Sequence, residues 1–465
     1  MSNRKRIVLI GAGSAVFTQG LIADFIKAED RLGSWEIALV DINKETLGYI
    51  DKLAKKMIKE KGSDLKIIST TDRREVLPEA DVITTTIAVG GRRAWENDVF
   101  IPRKYDIYQP VGDTTMPGGI SRALRMIPVM FDITKDIMEL CPDAYFFNYS
   151  NPMSAIVKAI RKELDYPVIG LCHGLIHVEK YLADFLGGYN VKDIKTIGAG
   201  INHLTFIYDL SIKGKDGFEV VDEVLEKQKD RLADSSLEGD YFNPTMVESE
   251  DRRGKEKLYI DNPFTWQMYE KYRAIPAVLD RHITEFFPER FPEGEYYGRK
   301  LGIDAFRFED VIKRGDNTFN KMKKRALGEE DLDESLFGRS TGEHEQLIEM
   351  LSSLYFDERK SFYVNTQNDG AVSNLPDDAV IELPAVATSQ GFYPYSINDF
   401  PEVLASIIKR RLAVIDLTVE AALKGDKKLV KEAMLLDGSV SNDKVAEDLT
   451  NDLLEAHKEH LPQFN

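Results

Sequence analysis

The fold is decided by the run Arg6-Ile7-Val8-Leu9-Ile10-Gly11-Ala12-Gly13-Ser14 near the start of the chain. Its apolar centre predicts a buried strand, and its glycines predict a tight turn into the helical pattern that begins near Phe17. Such a turn brings backbone amide groups close to a pyrophosphate at the positive end of the helix. The run therefore predicts the first strand, turn and helix of a dinucleotide-binding α/β domain.

The second strand supports this prediction. The run Glu36-Ile37-Ala38-Leu39-Val40 ends on Asp41, at the distance expected for a carboxylate that accepts hydrogen bonds from ribose hydroxyls. Asp41 favours NAD over NADP, because it would repel a 2′-phosphate. Val16 departs from the pattern, since it stands where a third glycine is usual. An α/β turn that binds no ligand is the alternative.

Strand and helix patterns alternate to about residue 200, which predicts a doubly wound parallel sheet with its ligand at the carboxyl ends of the strands. Two later strand patterns end in groups that bind metals or protons. Residues 168–171 lead into Cys172 and His173, and residues 194–202 lead into His203. These three side chains could meet at one point, although a lone cysteine in an apolar run is more often a core residue.

Other polar side chains stand in predicted loops and at strand ends. The glycine- and proline-rich segment 108–119 is expected to cover the cofactor, and Arg122 on the next helix suits an anion as well as solvent. Asn148 and Asn151 follow an aromatic strand and could bond hydroxyl groups.

A dense ionisable cluster stands further along the chain. Asp280, His282 and Glu285 lie close together before a proline. The charged stretch 289–342 follows, and it is predicted to be rich in loops and to form a lid over the site.

The composition limits the class of ligand. The chain has 465 residues, 43% of them hydrophobic, with 61 Lys and Arg against 78 Asp and Glu, a formal charge of −17. Such a charge would repel nucleic acid and anionic membranes, so a small-molecule ligand is expected. No run approaches the roughly 18 apolar residues of a membrane span, and the N-terminal residues show no signal-peptide core. With only two cysteines, a reducing cytoplasm is the expected location.

Taken together, these motifs resemble glycoside hydrolase family 4, the NAD- and divalent-metal-dependent glycosidases. No single motif is specific, and the resemblance depends on their order and spacing over nearly the whole chain. The matching motifs are Gly11-Ala12-Gly13-Ser14 with Asp41, Gly112-Asp113-Thr114 with Pro117-Gly118-Gly119, Arg122 and Arg125, Asn148 with Asn151-Pro152, Cys172-His173-Gly174, Gly200-Ile201-Asn202-His203, and Asn365 with Asn368-Asp369-Gly370 and Leu375-Pro376.

The resemblance implies an α/β fold in two parts. Residues 1–200 would form a Rossmann-like parallel-sheet domain that binds NAD. Residues 201–465 would form an α/β domain of the malate/lactate dehydrogenase C-terminal type, for substrate binding and oligomerisation. The implied cofactors are NAD and Mn²⁺, although a thiolate ligand normally favours softer metals. A homo-oligomer, either a dimer or a tetramer, is the expected assembly.

The resemblance also implies roles for individual residues. Cys172 and His203 would bind the metal, and His173 would act on the leaving group. Asp280 is the first expectation for the base, with His282 as a further catalytic residue, because residues 278–287 lack the tyrosine of some members with phosphorylated substrates. The expected NAD contacts are Gly11, Gly13, Ser14, Ala15, Val16, Phe17, Asp41, Thr86 and Asn151, and the expected sugar contacts are Arg122, Asn148, Asn151 and Arg281.

The implied reaction begins with hydride transfer from sugar C3 to NAD⁺. The metal would polarise the new ketone, so that a modest base can remove the C2 proton and the aglycone leaves by elimination. Water then adds and the hydride returns, so no NAD is consumed. Such a site does not need the usual pair of catalytic carboxylates.

The identity of the sugar stays open at this stage. His173 replaces the Asp or Asn that follows the cysteine in phosphosugar members, and segment 111–119 is similar to that of members acting on unphosphorylated α-glycosides. An α-galactoside is the first expectation; an α-glucoside or a uronide is the alternative, since Arg281 could pair with a sugar carboxylate. Outside this class, a metal-independent 2-hydroxyacid dehydrogenase or an NAD-binding sensor are the competing hypotheses.

Overall fold

The computed structural model describes residues 4–233, 262–338 and 345–464. The first half of the chain alternates strands and helices, as predicted. Its elements are β1 (Arg6–Ile10), α1 (Phe17–Leu32), β2 (Glu36–Val40), α2 (Lys44–Lys61), β3 (Lys66–Thr70), β4 (Val82–Thr85), α3 (Gly91–Arg103), α4 (Met116–Leu140), β5 (Tyr145–Asn148), α5 (Met153–Leu164), β6 (Val168–Gly170) and α6 (Gly174–Leu186).

The second half combines antiparallel strands with further helices. Its elements are β7 (Ile194–Ile201), β8 (Leu204–Ile212), β9 (Lys215–Asp216), α7 (Gly217–Ala233), α8 (Pro263–Tyr272), β10 (Ile275–Ala277), α9 (Leu279–Ile283), β11 (Glu295–Tyr296), β12 (Arg299–Lys300), α10 (Phe308–Leu327), α11 (Ser335–Gly338), α12 (Glu345–Phe356), β13 (Ser361–Gln367), β14 (Val380–Thr388), β15 (Gly391–Pro394), α13 (Glu402–Lys424), α14 (Lys427–Asp437) and α15 (Asp443–Ala456).

One large sheet runs through both halves in the order β10-β8-β7-β14-β13-β6-β5-β4-β1-β2-β3. The strands from β6 to β3 are parallel, in the doubly wound order of dinucleotide-binding domains. The strand order reverses between β1 and β4, which is where such sheets bind their ligands. The predicted α/β fold with a Rossmann-like sheet is therefore confirmed.

Alternation along β1 explains why both faces of the sheet are covered. Ile7 and Leu9 lie in one hydrophobic core, together with residues of α1, α2 and α12. Val8 and Ile10 lie in the core on the other face, with residues of α4, α5, α13 and α14. Since strand side chains point to opposite faces in turn, the apolar run of β1 supplies both cores. In the described part of the chain, no helix is long and apolar enough to cross a membrane.

The predicted lid is largely helical. Residues 308–327 of the charged stretch 289–342 form α10, and residues 339–342 lie outside the described residues. Phe308, Ile312 and Met322 are buried along one side of this helix. The prediction of loops was wrong for residues 308–327, because widely spaced apolar residues at helical intervals were hidden by the charged residues between them, whereas residues 289–307 form short turns and two-residue strands.

A row of paired residues crosses the sheet where its parallel and antiparallel parts join. Gly170 of β6 pairs with Asn365 of β13. Glu382 of β14 pairs with Asn365 on one side and with Gly200 of β7 on the other. Glu382 is buried, and its carboxyl group accepts hydrogen bonds from Asn365 Nδ2 at 3.1 Å and Thr205 Oγ1 at 2.6 Å. Burial raises the pKa of Glu382 to about 7, against these hydrogen bonds.

Alanine at position 200 should destabilise the protein. A Cβ on Gly200 would lie 2.6 Å from Thr205 Cα and nearer still to the Leu204 carbonyl oxygen. These backbone atoms cannot yield without disturbing the hairpin, so we expect Gly200→Ala to lower the free energy of unfolding in urea by about 1–3 kcal/mol. Gly48→Ala is the control, because a Cβ there meets nothing within 4 Å, and it should stabilise α2 by about 0.5–1 kcal/mol. Wild-type stability in Gly200→Ala would contradict this packing.

The buried carboxyl of Glu382 should make folding depend on pH. Its folded pKa of about 7 lies above the ordinary value of 4.5. A raised folded pKa gives stability that is full below the unfolded pKa and is lost as pH rises through the folded pKa. Glu382→Gln should therefore gain stability relative to the wild type between pH 5 and pH 8, by up to about 3 kcal/mol. Urea unfolding at pH 5 and pH 8 measures the free energy of unfolding of both proteins. The same difference between variant and wild type at the two pH values would contradict the prediction.

Candidate active site

Close backbone contacts shape the turn after β1. Gly11 has a φ of 92°, and a Cβ there would lie 2.9 Å from the Thr86 carbonyl group. A Cβ on Gly13 would lie 2.6 Å from Asp41 Oδ2, to which the Gly13 amide donates a hydrogen bond at 2.8 Å. Both positions therefore require glycine. Helix α1 has no side-chain cap at Val16, and the N-terminus of this helix is therefore a candidate position for an anionic ligand.

The apolar side chains around this turn differ in their exposure to solvent. Val16 is 51% exposed, and Ile42, which the sequence analysis missed, is 94% exposed directly after Asp41. Phe17 is buried, with its ring centroid 4.5 Å from that of Tyr149. The Phe17 side chain is part of the core, and the predicted contact of Phe17 with a dinucleotide stays a prediction. Two exposed apolar side chains beside the turn are consistent with a ligand that covers them.

Three side chains from separate parts of the chain form a cluster that could hold a metal ion. A ligand atom from each of Asp113, His203 and His282 lies within 4.8 Å of the others. Asp113 comes from the loop before α4, His203 from the turn between β7 and β8, and His282 from α9. His203 has a φ of 66°, a conformation in which histidine is more common than most residues. The tight turn therefore presents its imidazole at the end of the hairpin.

One hydroxyl group fixes the orientation of His203. Thr114 Oγ1 donates to Asp113 Oδ1 at 2.6 Å and lies 2.9 Å from His203 Nδ1. A hydroxyl has a single proton to donate, and an ionised carboxylate can only accept. The Thr114 oxygen must then accept a hydrogen bond from the Nδ1–H group of His203, which in the neutral ring leaves Nε2 with its lone pair. This is the tautomer that binds a metal through Nε2.

The predicted pair Cys172 and His203 does not describe the whole cluster. Cys172 is buried after β6, where its Sγ accepts a hydrogen bond from the Gly174 amide at 3.3 Å. It is not one of the three clustered ligands, and its role as a metal ligand stays a prediction. The sequence analysis assigned no role to Asp113, although the Gly112-Asp113-Thr114 motif beside two prolines was a signal for a functional loop.

Two pairs of histidine rings lie in or near the cluster. The ring centroids of His173 and His177 are 4.3 Å apart, and those of His203 and His282 are 4.4 Å apart. Burial lowers the pKa of His282 well below its ordinary value, and the neighbouring side chains of His203 and Arg281 lower it further. His282 is therefore a neutral imidazole near pH 7, able to accept a proton or bind a metal.

Asp280 is not placed to act as the base. Its two oxygens accept hydrogen bonds from the Phe264 amide at 2.8 Å, the Thr265 amide at 2.7 Å, the Thr265 hydroxyl at 2.6 Å and the Tyr296 hydroxyl at 2.5 Å. The side chain is fully buried, and burial raises its pKa to about 6. The prediction of a catalytic Asp280 is corrected: this carboxyl group holds the start of α8 against α9.

Glu285 anchors the loop that supplies Asp113. One carboxyl oxygen accepts hydrogen bonds from the Val111 amide at 2.7 Å and the Gly112 amide at 2.8 Å. Burial raises the pKa of Glu285 to about 8, against these two hydrogen bonds. Residues 111–113 thus reach the cluster through a buried contact with the segment that also carries His282.

Two arginines flank Asp113. The Nε of Arg122 donates to the Asn151 carbonyl oxygen at 3.0 Å, and Asn151 Nδ2 donates to Asp113 Oδ2 at 3.1 Å. The Nε of Arg281 is buried without a hydrogen-bond partner among the described residues. Burial lowers the pKa of Arg281, and the charge of Arg314 contributes.

The predicted contact of Asn148 with a sugar is also corrected. It is fully buried; its Oδ1 accepts from the Thr85 hydroxyl at 2.9 Å and the Ser150 amide at 3.0 Å, while its Nδ2 donates to the Ser150 carbonyl oxygen. A side chain that is enclosed in this way shapes the end of β5 and is not available to a sugar hydroxyl, contrary to the sequence prediction.

The fold and site define an α/β protein with a dinucleotide-type turn and a carboxylate–imidazole cluster at the carboxyl edge of its parallel strands. A sequence model described as family 4 glycosyl hydrolase matches residues 6–188, and one described as the family 4 glycosyl hydrolase C-terminal domain matches residues 198–440. The chain belongs to glycosyl hydrolase family 4, as the resemblance implied. It is a family 4 glycosidase, which sets aside the dehydrogenase and sensor hypotheses.

Relatives with different substrates are about equally similar. The chain is 30% identical to the probable 6-phospho-beta-glucosidase of Bacillus subtilis, with 100% of this chain and 99% of the relative covered. It is also 30% identical to the alpha-galactosidase of the same organism, with 99% and 100% covered, and to the alpha-galacturonidase of Thermoanaerobacterium saccharolyticum, with 98% and 96% covered.

Solved structures share the whole fold. The 6-phospho-beta glucosidase of Thermotoga maritima, solved with manganese, NAD⁺ and glucose-6-phosphate, has a TM-score of 0.77 and 25% identity, with 98% and 99% of the two chains covered. The malate dehydrogenase of Cryptosporidium parvum has a TM-score of 0.51 and 14% identity, with 90% and 99% covered, a likeness of fold alone. The expected malate dehydrogenase-like architecture is confirmed.

The corrected role of Asp280 can be tested by Asp280→Asn. The new amide nitrogen would face hydrogen-bond donors that now meet a carboxylate oxygen, so we expect a loss of about 1–3 kcal/mol in the free energy of unfolding. Thermal unfolding followed by circular dichroism measures this, with Asp331→Asn at an exposed position as the control. A variant with wild-type stability and no glycosidase activity would instead support Asp280 as the base.

Proposed function

We propose that this chain is an NAD- and divalent-metal-dependent glycosidase that acts on unphosphorylated α-glycosides. The observation that carries the proposal is the Asp113, His203 and His282 cluster at the edge of a sheet whose first turn suits a dinucleotide. The Thermotoga maritima relative, solved with both manganese and NAD⁺, supports the same pair of cofactors.

The residues of the chain fit both groups. Gly11 and Gly13 form the tight turn that leads into α1, where a pyrophosphate would bind, and the Asp41 carboxylate would accept hydrogen bonds from the ribose hydroxyls. The metal would be held by Asp113 and His203, with Cys172 as a further ligand by resemblance. A carboxylate ligand also suits Mn²⁺ better than a thiolate alone, which removes the tension noted for Cys172.

When bound, NAD⁺ would accept a hydride from sugar C3 and the metal would polarise the resulting ketone. The chain's own residues then have to move one proton at C2 and one at the leaving oxygen. His282 is a neutral imidazole in the cluster, and we assign it the removal of the C2 proton. His173 lies beside His177, and we assign it the proton transfer at the leaving oxygen. Thr114 keeps His203 in one tautomer throughout.

Turnover in D₂O tests the reaction type. If an enzyme base removes the C2 proton and water adds later, a proton from solvent must be installed at C2 of the released sugar. We therefore expect deuterium at C2, measured by NMR of the product, and no accumulation of NADH. Cleavage without deuterium at C2 would exclude elimination and addition, and stoichiometric NADH would indicate a dehydrogenase.

Three sugars stay open as the substrate, an α-galactoside, an α-glucoside and a uronide, and a specific observation favours each of two of them. The sequence resemblance favours an α-galactoside. The unpartnered, buried Nε of Arg281 favours a uronide, because a guanidinium taken out of water is costly unless an anion pairs with it. Arg122 and Arg314 add positive charge near the same place.

A substrate panel with variants of Arg281 separates these two sugars. If Arg281 binds a sugar carboxylate, Arg281→Gln should lower kcat/KM for 4-nitrophenyl α-galacturonide by about 10- to 100-fold or more, and change that for the α-galactoside little. Arg314→Gln is the control, since Arg314 affects Arg281 only through its charge. Equal loss on both sugars, or no turnover of the uronide by the wild type, would leave the α-galactoside as the substrate.

A further inference from the structure

A small cavity lies between the first turns of α4 and α5, the β7–β8 turn and α13. Its polar lining is Thr114, Thr115, Ser154, Asn202, Arg411 and Thr418. It offers about 20 Å³ to the centres of water-sized molecules, whereas one water needs roughly 10–15 Å³ on this measure. The cavity can therefore hold one water, or two at most, and no sugar or nucleotide.

Asn202 lines this cavity without any partner for its amide group. The residue is 1% exposed, and neither Oδ1 nor Nδ2 has a hydrogen-bond partner among the described residues. Its backbone amide is bonded, to Ser154 Oγ at 3.3 Å. Buried side-chain amides left without partners are rare, because the lost hydration is not replaced.

The chemistry of an amide selects the ligand. Oδ1 needs a donor and Nδ2 needs an acceptor. Water supplies both, whereas a metal cation could satisfy only Oδ1 and a halide only Nδ2. The Arg411 guanidinium on the cavity wall also disfavours a cation, and it is already bonded to Asp437 and the Phe286 carbonyl oxygen.

The other walls offer further partners for a water. Helix α5 starts after Pro152 without a side-chain cap, and Pro152, Ser154 and Ala155 at its start line the same cavity. Ser154 lines the cavity from that first turn. A water that bonds Asn202 and this turn would have the two to four polar partners that buried waters usually have.

We infer that the cavity binds an ordered water that joins Asn202 to the first turn of α5 and so holds the β7–β8 turn. Asn202 directly precedes His203, whose φ of 66° depends on this turn. The water is a structural component behind the cluster, and this inference does not depend on the proposed reaction. Asn202 is a positioning residue, since it would act on the cluster through His203.

A double-mutant cycle gives the sharpest test. Ala155 lines the cavity, and Ala155→Val would fill it and displace a water while Asn202 stays in place. With a bound water, Ala155→Val should lower the melting temperature by several degrees, and the loss should be much smaller in an Asn202→Leu background, which has no amide to satisfy. Val414→Ile, which fills the same cavity from α13, is a second variant in case Ala155→Val does not fold.

An empty cavity predicts a different result. Filling it would then raise the melting temperature, or cost the same in both backgrounds, and either result would overturn the inference. A crystal structure at a resolution that shows waters should contain one within hydrogen-bond distance of Asn202 Oδ1 or Nδ2. A dry cavity there, or Asn202 bonded to protein, would also overturn it.

Local exchange separates positioning from general stability. In Asn202→Leu, amide hydrogen exchange should accelerate in the β7–β8 turn. Ile50→Val, a fully buried control in α2, should leave exchange at that turn unchanged. Unchanged exchange at the turn in Asn202→Leu would contradict the positioning role.

Discussion

The hydroxyl of Thr114 is the contact on which the candidate site depends. It joins Asp113, from a loop of the parallel half of the sheet, to His203, from a turn of the antiparallel half. Because one proton cannot serve two acceptors, this contact also decides which nitrogen of His203 is free. The orientation of the His203 ring and its tautomer are therefore set by the same contact. Thr114 need not touch a substrate to do this.

The rest of the structure holds the two sides of this contact in place. Glu285 bonds two backbone amides of the loop, and the row from Gly170 to Gly200 joins the two parts of the sheet. Both Glu285 and Glu382 are buried carboxyl groups with raised pKa values. Burial of such groups costs stability, and here it is combined with hydrogen bonds to the elements that position the site.

The sequence predicted what local patterns determine. The β1 run, its glycines and Asp41 stand within a few dozen residues, so periodicity and spacing were enough to predict the turn and the parallel sheet. Contacts between distant residues were not predictable in this way. Asp280 and Asn148 look like free polar groups in the sequence, and only the fold shows that Thr265, Tyr296 and Thr85 occupy them. Asp113 was missed for the same reason, since Asn151, His203 and His282 lie far from it along the chain.

Anomalous X-ray scattering from crystals grown with Mn²⁺ and NAD⁺ tests the central claim most directly. The account predicts one manganese peak at bonding distance from His203 Nε2 and from an oxygen of Asp113, with the Thr114 hydroxyl still on His203 Nδ1. A manganese ion bound through His203 Nδ1, or a site that includes neither His203 nor Asp113, would contradict it.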